Sequence, residues 1–335
     1  MRASGIGSFP GDAQPDFDEA LAVVLGELAT HAEGLAYLPE VPGRGAHAGM
    51  VGRTLGLVGE LDADLQPAGW RLTGTSGAPP VDQRRARSLL AQDLDALEER
   101  AAGHERPFKV QLVGPWTLAA TVERPRGDKV LADHGARRDL AQALAVAVGD
   151  HLADVRRRLP AATSLVLQLD EPALPLVLAG KVPTASGFGR HRTVHPPEAR
   201  EALGWVIEAV AAAGGEPWVH CCAAGAPLAL LREAGATGLM VDHDLLDGTG
   251  HDAAAEALEA GATIGLGVVP TTAPLPGDAV VRERVLRWLD LVGLDPDVVG
   301  DRLVVTPACG LAGATPTDAR RATELVCSVA RAVSS

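Results

Sequence analysis

Short apolar runs recur along this chain, and each ends in glycine, proline or a polar residue. In order they are ASGIGSFP (3–10), LAYLPEV (35–41), VQLVGP (110–115), LVLQLDEP (165–172), PWVHCC (217–222), GLMVDHD (238–244), TIGLGVV (263–269) and LVVTPACG (303–310). They are rich in Val, Ile and Leu, as strands buried on both faces should be, and they predict about eight strands. Between them lie stretches with apolar residues at helical spacing, at 16–34, 81–103, 136–159 and 196–215. Shorter ones follow at 226–234, 252–260 and 280–292. The last, 315–333, opens with Thr, Pro and Asp, a helix-entry signal. Alternation of this length predicts an α/β fold, a (β/α)8 TIM barrel, with 1–335 as one domain. An open doubly wound sheet is the runner-up. It favours a glycine-rich phosphate loop after its first strand, and GIGSFPG lacks the G-x-G-x-x-G spacing. Residues 42–80 are Gly-rich and poorly periodic, and are expected to form an elaborated loop or small excursion after the second strand. A loop that long in a compact domain is usually functional.

Composition narrows the class. With 335 residues, 47% of them hydrophobic, the chain can bury a substantial core. A formal net charge of −13 repels phosphate backbones, so no nucleic-acid partner is expected. The start MRASGIGSFPGDAQ does not read as a signal peptide. The longest apolar stretches are too short or too interrupted to span a bilayer, so no membrane partner is expected either. The four cysteines, at 221, 222, 309 and 327, are too few for a disulfide scaffold in a chain this long. The expectation is a soluble cytoplasmic protein with reduced thiols.

In a TIM barrel, active sites sit at the carboxyl ends of the strands. Ser8, Glu40, Asp170, Glu171, His220, Cys222, Asp242, Asp244 and Cys309 all fall there. His220 and Cys222 are two residues apart on a strand and point to one side, while Cys221 points to the other. Cys309 ends another strand, and Asp242 ends the strand after the His/Cys one. Imidazole and thiolate donors make a soft site suited to Zn²⁺. The competing reading is that these cysteines are small buried hydrophobes, and for Cys327, on the apolar face of the last helix, that reading wins. Asp170 and Glu171 can bind an amine or act as acid and base, or else cap the helix that follows. Glu40, between two prolines, reads as a solvated loop acid.

Four of these motifs, GIGSFP, LDEPAL, VHCC and TPACGL, stand in the order found in the catalytic carboxyl-terminal barrel of the cobalamin-independent methionine synthase family, which the chain resembles along nearly its whole length. The resemblance implies one zinc ion on His220, Cys222, a carboxylate and Cys309. The carboxylate is Asp242, with Asp244 as its rival, because the family usually has Glu there. It implies homocysteine contacts at Ile6, Gly7, Ser8, Glu40 and Asp170, with Asp170 also catalytic. It implies methyl transfer to homocysteine, giving methionine, from methylfolate, methylcobalamin or a corrinoid protein. The chain departs from the family in lacking the amino-terminal half of its long members, in having Thr121 where a folate-stacking tryptophan is usual, with Trp116 close by, and in having Thr271 and Thr272 near a usual histidine. These departures bear on the donor. The competing expectations are a corrinoid-linked methyltransferase for another thiol, and a zinc- or thiol-binding protein without turnover.

Overall fold

The computed structural model describes residues 1–74 and 78–334, so residues 75–77 of the 42–80 stretch, and Ser335, lie outside the described residues. Among the described residues, eight parallel strands form one sheet. They are β1 (Arg2–Ala3), β2 (Ala36–Tyr37), β3 (Phe108–Val113), β4 (Leu165–Asp170), β5 (Gly215–Cys221), β6 (Gly238–Asp242), β7 (Thr263–Val269) and β8 (Leu303–Pro307). From β2 to β8 each pairs with its neighbour in sequence, and β8 pairs with β1. The ring closes between β1 and β2 through backbone bonds alone: Ala3 N donates to Glu33 O (2.9 Å) and Leu35 N to Ala3 O (2.8 Å). The (β/α)8 barrel read from the alternation is therefore the fold. The first two strands are much shorter than their apolar runs. Glycine and proline explain this: a Cβ on Gly5 would lie 2.2 Å from Tyr37 Oη, so the chain there runs too close to β2 for a regular pleat.

Alternation along each strand sorts the side chains. On β4, Leu165, Leu167 and Leu169 face the helical layer and join the large apolar core. Val166 faces the barrel interior, with Ile6, Leu35, Trp218, Met240 and Val304. Outside, helices such as 81–101, 134–158, 196–212 and 316–334 cover the strands with their apolar faces.

Glycines make room for the large interior residues. A Cβ on Gly238 would sit 2.5 Å from the Trp218 ring, and one on Gly265 would sit 2.8 Å from Met240 Cγ. The indole is fully buried and rigid, so it cannot give way as a methionine can. Gly238→Ala is therefore expected to cost roughly 1–3 kcal/mol by overpacking. A lower urea midpoint with an unchanged m-value checks it. A midpoint equal to wild type would mean that the interior is looser than its contacts indicate.

The 42–80 stretch has more structure than its pattern predicts. It holds a short 3₁₀ turn (Pro42–Arg44), a helix (Met50–Leu57) and an antiparallel hairpin (Ala63–Gln66 with Gly69–Leu72). The elements are too short to show a period, and contacts with helix 81–101 fix them: Gln83 Nε2 donates to Leu55 O (2.9 Å), Val58 O (2.8 Å) and Leu61 O (2.9 Å).

Candidate metal centre

Three donor side chains meet at the carboxyl end of the barrel. One ligand atom from each of His220, Cys222 and Cys309 lies within 4.8 Å of the others. The two sulfurs are 2.9 Å apart and both cysteines are free. They come from two strands separated by β6 and β7: His220 is the next-to-last residue of β5, Cys222 follows that strand, and Cys309 follows β8. Period-two geometry puts His220 and Cys222 on the interior side and buries Cys221 on the other. Cys327 is buried in the last helix, and its sulfur points to Glu27 O at 3.6 Å.

The histidine is held in one orientation. Asp170 Oδ1 lies 2.8 Å from His220 Nδ1, and both residues are buried. A carboxylate accepts, so Nδ1 carries a proton, and in the neutral ring the lone pair is on Nε2. Nε2 is buried and has no hydrogen-bond partner. An orphaned buried nitrogen beside two sulfurs is the donor set that a soft divalent ion takes, and a carboxylate behind the imidazole is the usual outer support of such a ligand. Burial alone would lower the imidazole pKa, but the bond to Asp170 and the nearness of Cys309 outweigh it and push it up to about 9. Of the two thiols, Cys309 is held down by the bond from Cys222 and by His220, while Cys222 is held up by sharing with Cys309.

The carboxylates implied as a fourth donor lie outside that group of three. Asp242 ends β6, and its Oδ1 accepts from Asp244 N at 3.0 Å. Burial and the Cys309 charge raise its pKa, against the pull of Arg284. Asp244 is exposed and paired with Arg284. Of the two, Asp242 is half-buried and Asp244 exposed.

The residues implied for an amino-acid substrate surround the same end. Gly7 O accepts from Glu40 N (3.0 Å), and Glu40 O accepts from Phe9 N (2.7 Å). Ser8 O accepts from Leu311 N (2.8 Å), which joins the first motif to the last. A Cβ on Gly310 would fall 2.1 Å from Ser8 Oγ, so only glycine leaves space for that hydroxyl beside Cys309. Ile6 O turns inward and accepts from Lys109 Nζ (2.8 Å) and Gln168 Nε2 (3.0 Å). Glu40 is buried and not a solvated loop acid. Its Oε1 accepts from Gln111 Nε2 (3.1 Å) and lies 3.6 Å from Arg53 Nε. Burial raises its pKa and Arg53 opposes that rise. Arg53 and Arg44 both bind Asp93, Arg44 with two bonds of 2.8 and 2.7 Å. The 42–80 segment thus supplies the guanidinium beside Glu40. Glu171 points away from the centre. It accepts from Trp116 N (2.8 Å), Thr117 N (2.8 Å) and Thr117 Oγ1 (2.7 Å), at the start of helix Pro115–Thr121. It caps that helix, so of the DE pair only Asp170 serves the site.

Sequence reading missed Arg53, Lys109, Gln111 and Gln168. A signal was present: in FKVQLV and LVLQLD the polar residues stand at alternate positions of otherwise apolar strands, and so share the interior face.

The family described as cobalamin-independent synthase, catalytic domain, matches residues 98–332. Among solved structures, a B12-independent methionine synthase from Shewanella sp. W3-18-1, in complex with selenomethionine, is similar over 100% of this chain and 98% of that one, at 14% identity and a TM-score of 0.64. At that identity the likeness shows the fold. A morphinone reductase mutant in complex with tetrahydroNAD is looser, with 11% identity over 91% of this chain and 82% of that one and a TM-score of 0.44, and carries no argument. No curated protein matches the sequence.

Proposed function

Because this chain belongs to the family of cobalamin-independent methionine synthase catalytic domains, we propose that it methylates the thiol of homocysteine to give methionine at a zinc centre held by His220, Cys222 and Cys309, with Asp242 as the nearby carboxylate. The observation that carries this reading is the buried, unpartnered Nε2 of His220 beside two free sulfurs. When bound, the zinc supplies positive charge that brings a thiol, ordinarily of pKa about 8.5, into its nucleophilic form at neutral pH.

The chain's own residues bind and orient. Asp170 holds the imidazole with its lone pair outward and, with Glu40, presents carboxylate oxygens to an α-ammonium. Gln111 and Arg53 fix Glu40 from behind, so its charge is aimed and not free to rotate. Gly7 and Ser8 offer backbone and hydroxyl donors to an α-carboxylate. The methyl donor is a methylated folate or a methylated corrinoid. Trp116 is fully buried, with Nε1 donating to Ala199 O at 2.9 Å, so it offers no face for a pterin, and this favours the corrinoid. Among the described residues no helix is long and apolar enough to cross a membrane, and with four free cysteines we place the protein in the reducing cytoplasm.

The test is metal analysis followed by a donor assay. The purified protein is expected to hold one zinc per chain, and to form methionine from L-homocysteine with methylcobalamin faster than with methylfolate. Activity with another thiol but not with homocysteine would point to a different acceptor. Zinc and homocysteine bound without turnover on any donor would leave a thiol-binding protein.

A further inference from the structure

Lys109 lies on β3 with its side chain fully inside the barrel, below the metal centre. Its partners are neutral: Nζ donates to Ile6 O (2.8 Å) and to Gln168 Oε1 (2.7 Å), and stands 4.9 Å from the centre of the Tyr37 ring. A buried ammonium with no carboxylate among its hydrogen-bond partners is a costly choice for a barrel interior that accepts Val, Met and Trp next door. Burial lowers its pKa to about 7, against the opposing pull of the Asp170 and Glu40 carboxylates.

The hydrogen bonds above it run in one direction. Lysine donates, and the two carbonyl oxygens it meets can only accept. Gln168 must therefore turn Oε1 down to Lys109 and Nε2 up. Nε2 then donates to Asp170 Oδ1 (2.7 Å) and to Ile6 O (3.0 Å), which again can only accept. Asp170 Oδ1 in turn receives the Nδ1 proton of His220 at 2.8 Å. A flipped Gln168 would set its NH2 against the ammonium and its oxygen against a carboxylate and a carbonyl. Every link is buried, so water cannot substitute for a lost partner.

We propose that Lys109 is a positioning residue: through Gln168 and Asp170 it fixes the ring orientation and tautomer of His220, and through the Ile6 carbonyl it holds the Ile6–Ser8 segment against the same end of the barrel. The proposal rests on the reading of His220 as a metal ligand. It assigns Lys109 no contact with substrate.

The experiment cuts the chain at two places, with Lys109→Met and with Gln168→Leu. Zinc affinity is measured by competition with a chromophoric chelator. The His220 tautomer is read in the metal-free protein from ¹⁵N shifts of labelled histidine, at a pH above the imidazole pKa of about 9, where the ring carries one proton. Wild type is expected to show a single tautomer with the proton on Nδ1. In each variant that folds, zinc affinity is expected to fall by about tenfold or more, as outer-shell partners of metal ligands usually require, and His220 to become a mixture of tautomers. A variant that folds, judged by near-UV circular dichroism, and keeps either the wild-type zinc affinity or the single tautomer overturns the proposal. If Lys109→Met does not fold, Gln168→Leu decides. A wild-type protein that binds no zinc would refute the metal centre instead, and the tautomer measurement would still judge Lys109.

Discussion

Replacing Cys222 or Cys309 with serine is expected to abolish zinc binding and methyl transfer together. A serine hydroxyl is a harder and less acidic donor than a thiol, and zinc among nitrogen and sulfur ligands discriminates strongly against it. Outer-shell partners cost roughly 10–100-fold in metal affinity, so loss of a direct ligand is expected to exceed 100-fold. The fold should survive, because both thiols sit at the half-buried open end of the barrel and not in its core. Metal content by atomic absorption, methionine formation and circular dichroism check the three parts. Full activity in a zinc-free Cys222→Ser protein would refute the proposed chemistry. The same substitution at Cys327 is the control: that sulfur faces Glu27 O across a helical contact and should leave zinc untouched.

Asp170→Asn is expected to be almost as severe while changing shape hardly at all. The carboxylate accepts from two donors on one oxygen, His220 Nδ1 and Gln168 Nε2. An asparagine oxygen in the same place can still accept from both donors, but it is neutral, so it loses the charge that makes the imidazole a strong donor to a cation. Its NH2 takes the place of the second carboxylate oxygen and cannot accept from an ammonium. Zinc affinity is expected to fall roughly 10–100-fold. Methyl transfer should fall further, because Asp170 is also proposed to hold the substrate ammonium. Excess zinc should therefore restore only part of the activity. Full restoration would mean that Asp170 serves the metal alone, and no loss of either would remove it from the site.

The residues that the four motifs single out differ in how far sequence reading could follow them. The His220–x–Cys222 spacing placed both donors on one face, and β5 does so. Glu40 looked like a solvated acid because proline flanks suggest a loop; it is buried because Arg53 and Gln111 come to it from elsewhere in the chain. Asp170 and Glu171 looked alike, yet adjacent residues on a strand end point to opposite sides, and only one meets His220. Lys109 and Gln168 were legible as polar residues in apolar strands, but their partners were not. The 42–80 stretch looked like loop because its helix and hairpin are shorter than the window that reveals a period.

What the sequence determined by itself is local. Runs of Val, Ile and Leu between helical periods set eight strands and their covering helices, and alternation within each run decided which side chains face inward. That much follows from burying apolar surface at a fixed repeat, and it needs no knowledge of what lies opposite. Tertiary structure alone decided the meetings: Cys309 against Cys222, Ser8 against Gly310, Lys109 through Gln168 and Asp170 to His220. Each joins segments far apart in the chain, brought together only when the ring closes. A buried polar group is stable there only if another strand supplies its partner, and no pattern along a single strand can say which strand that will be.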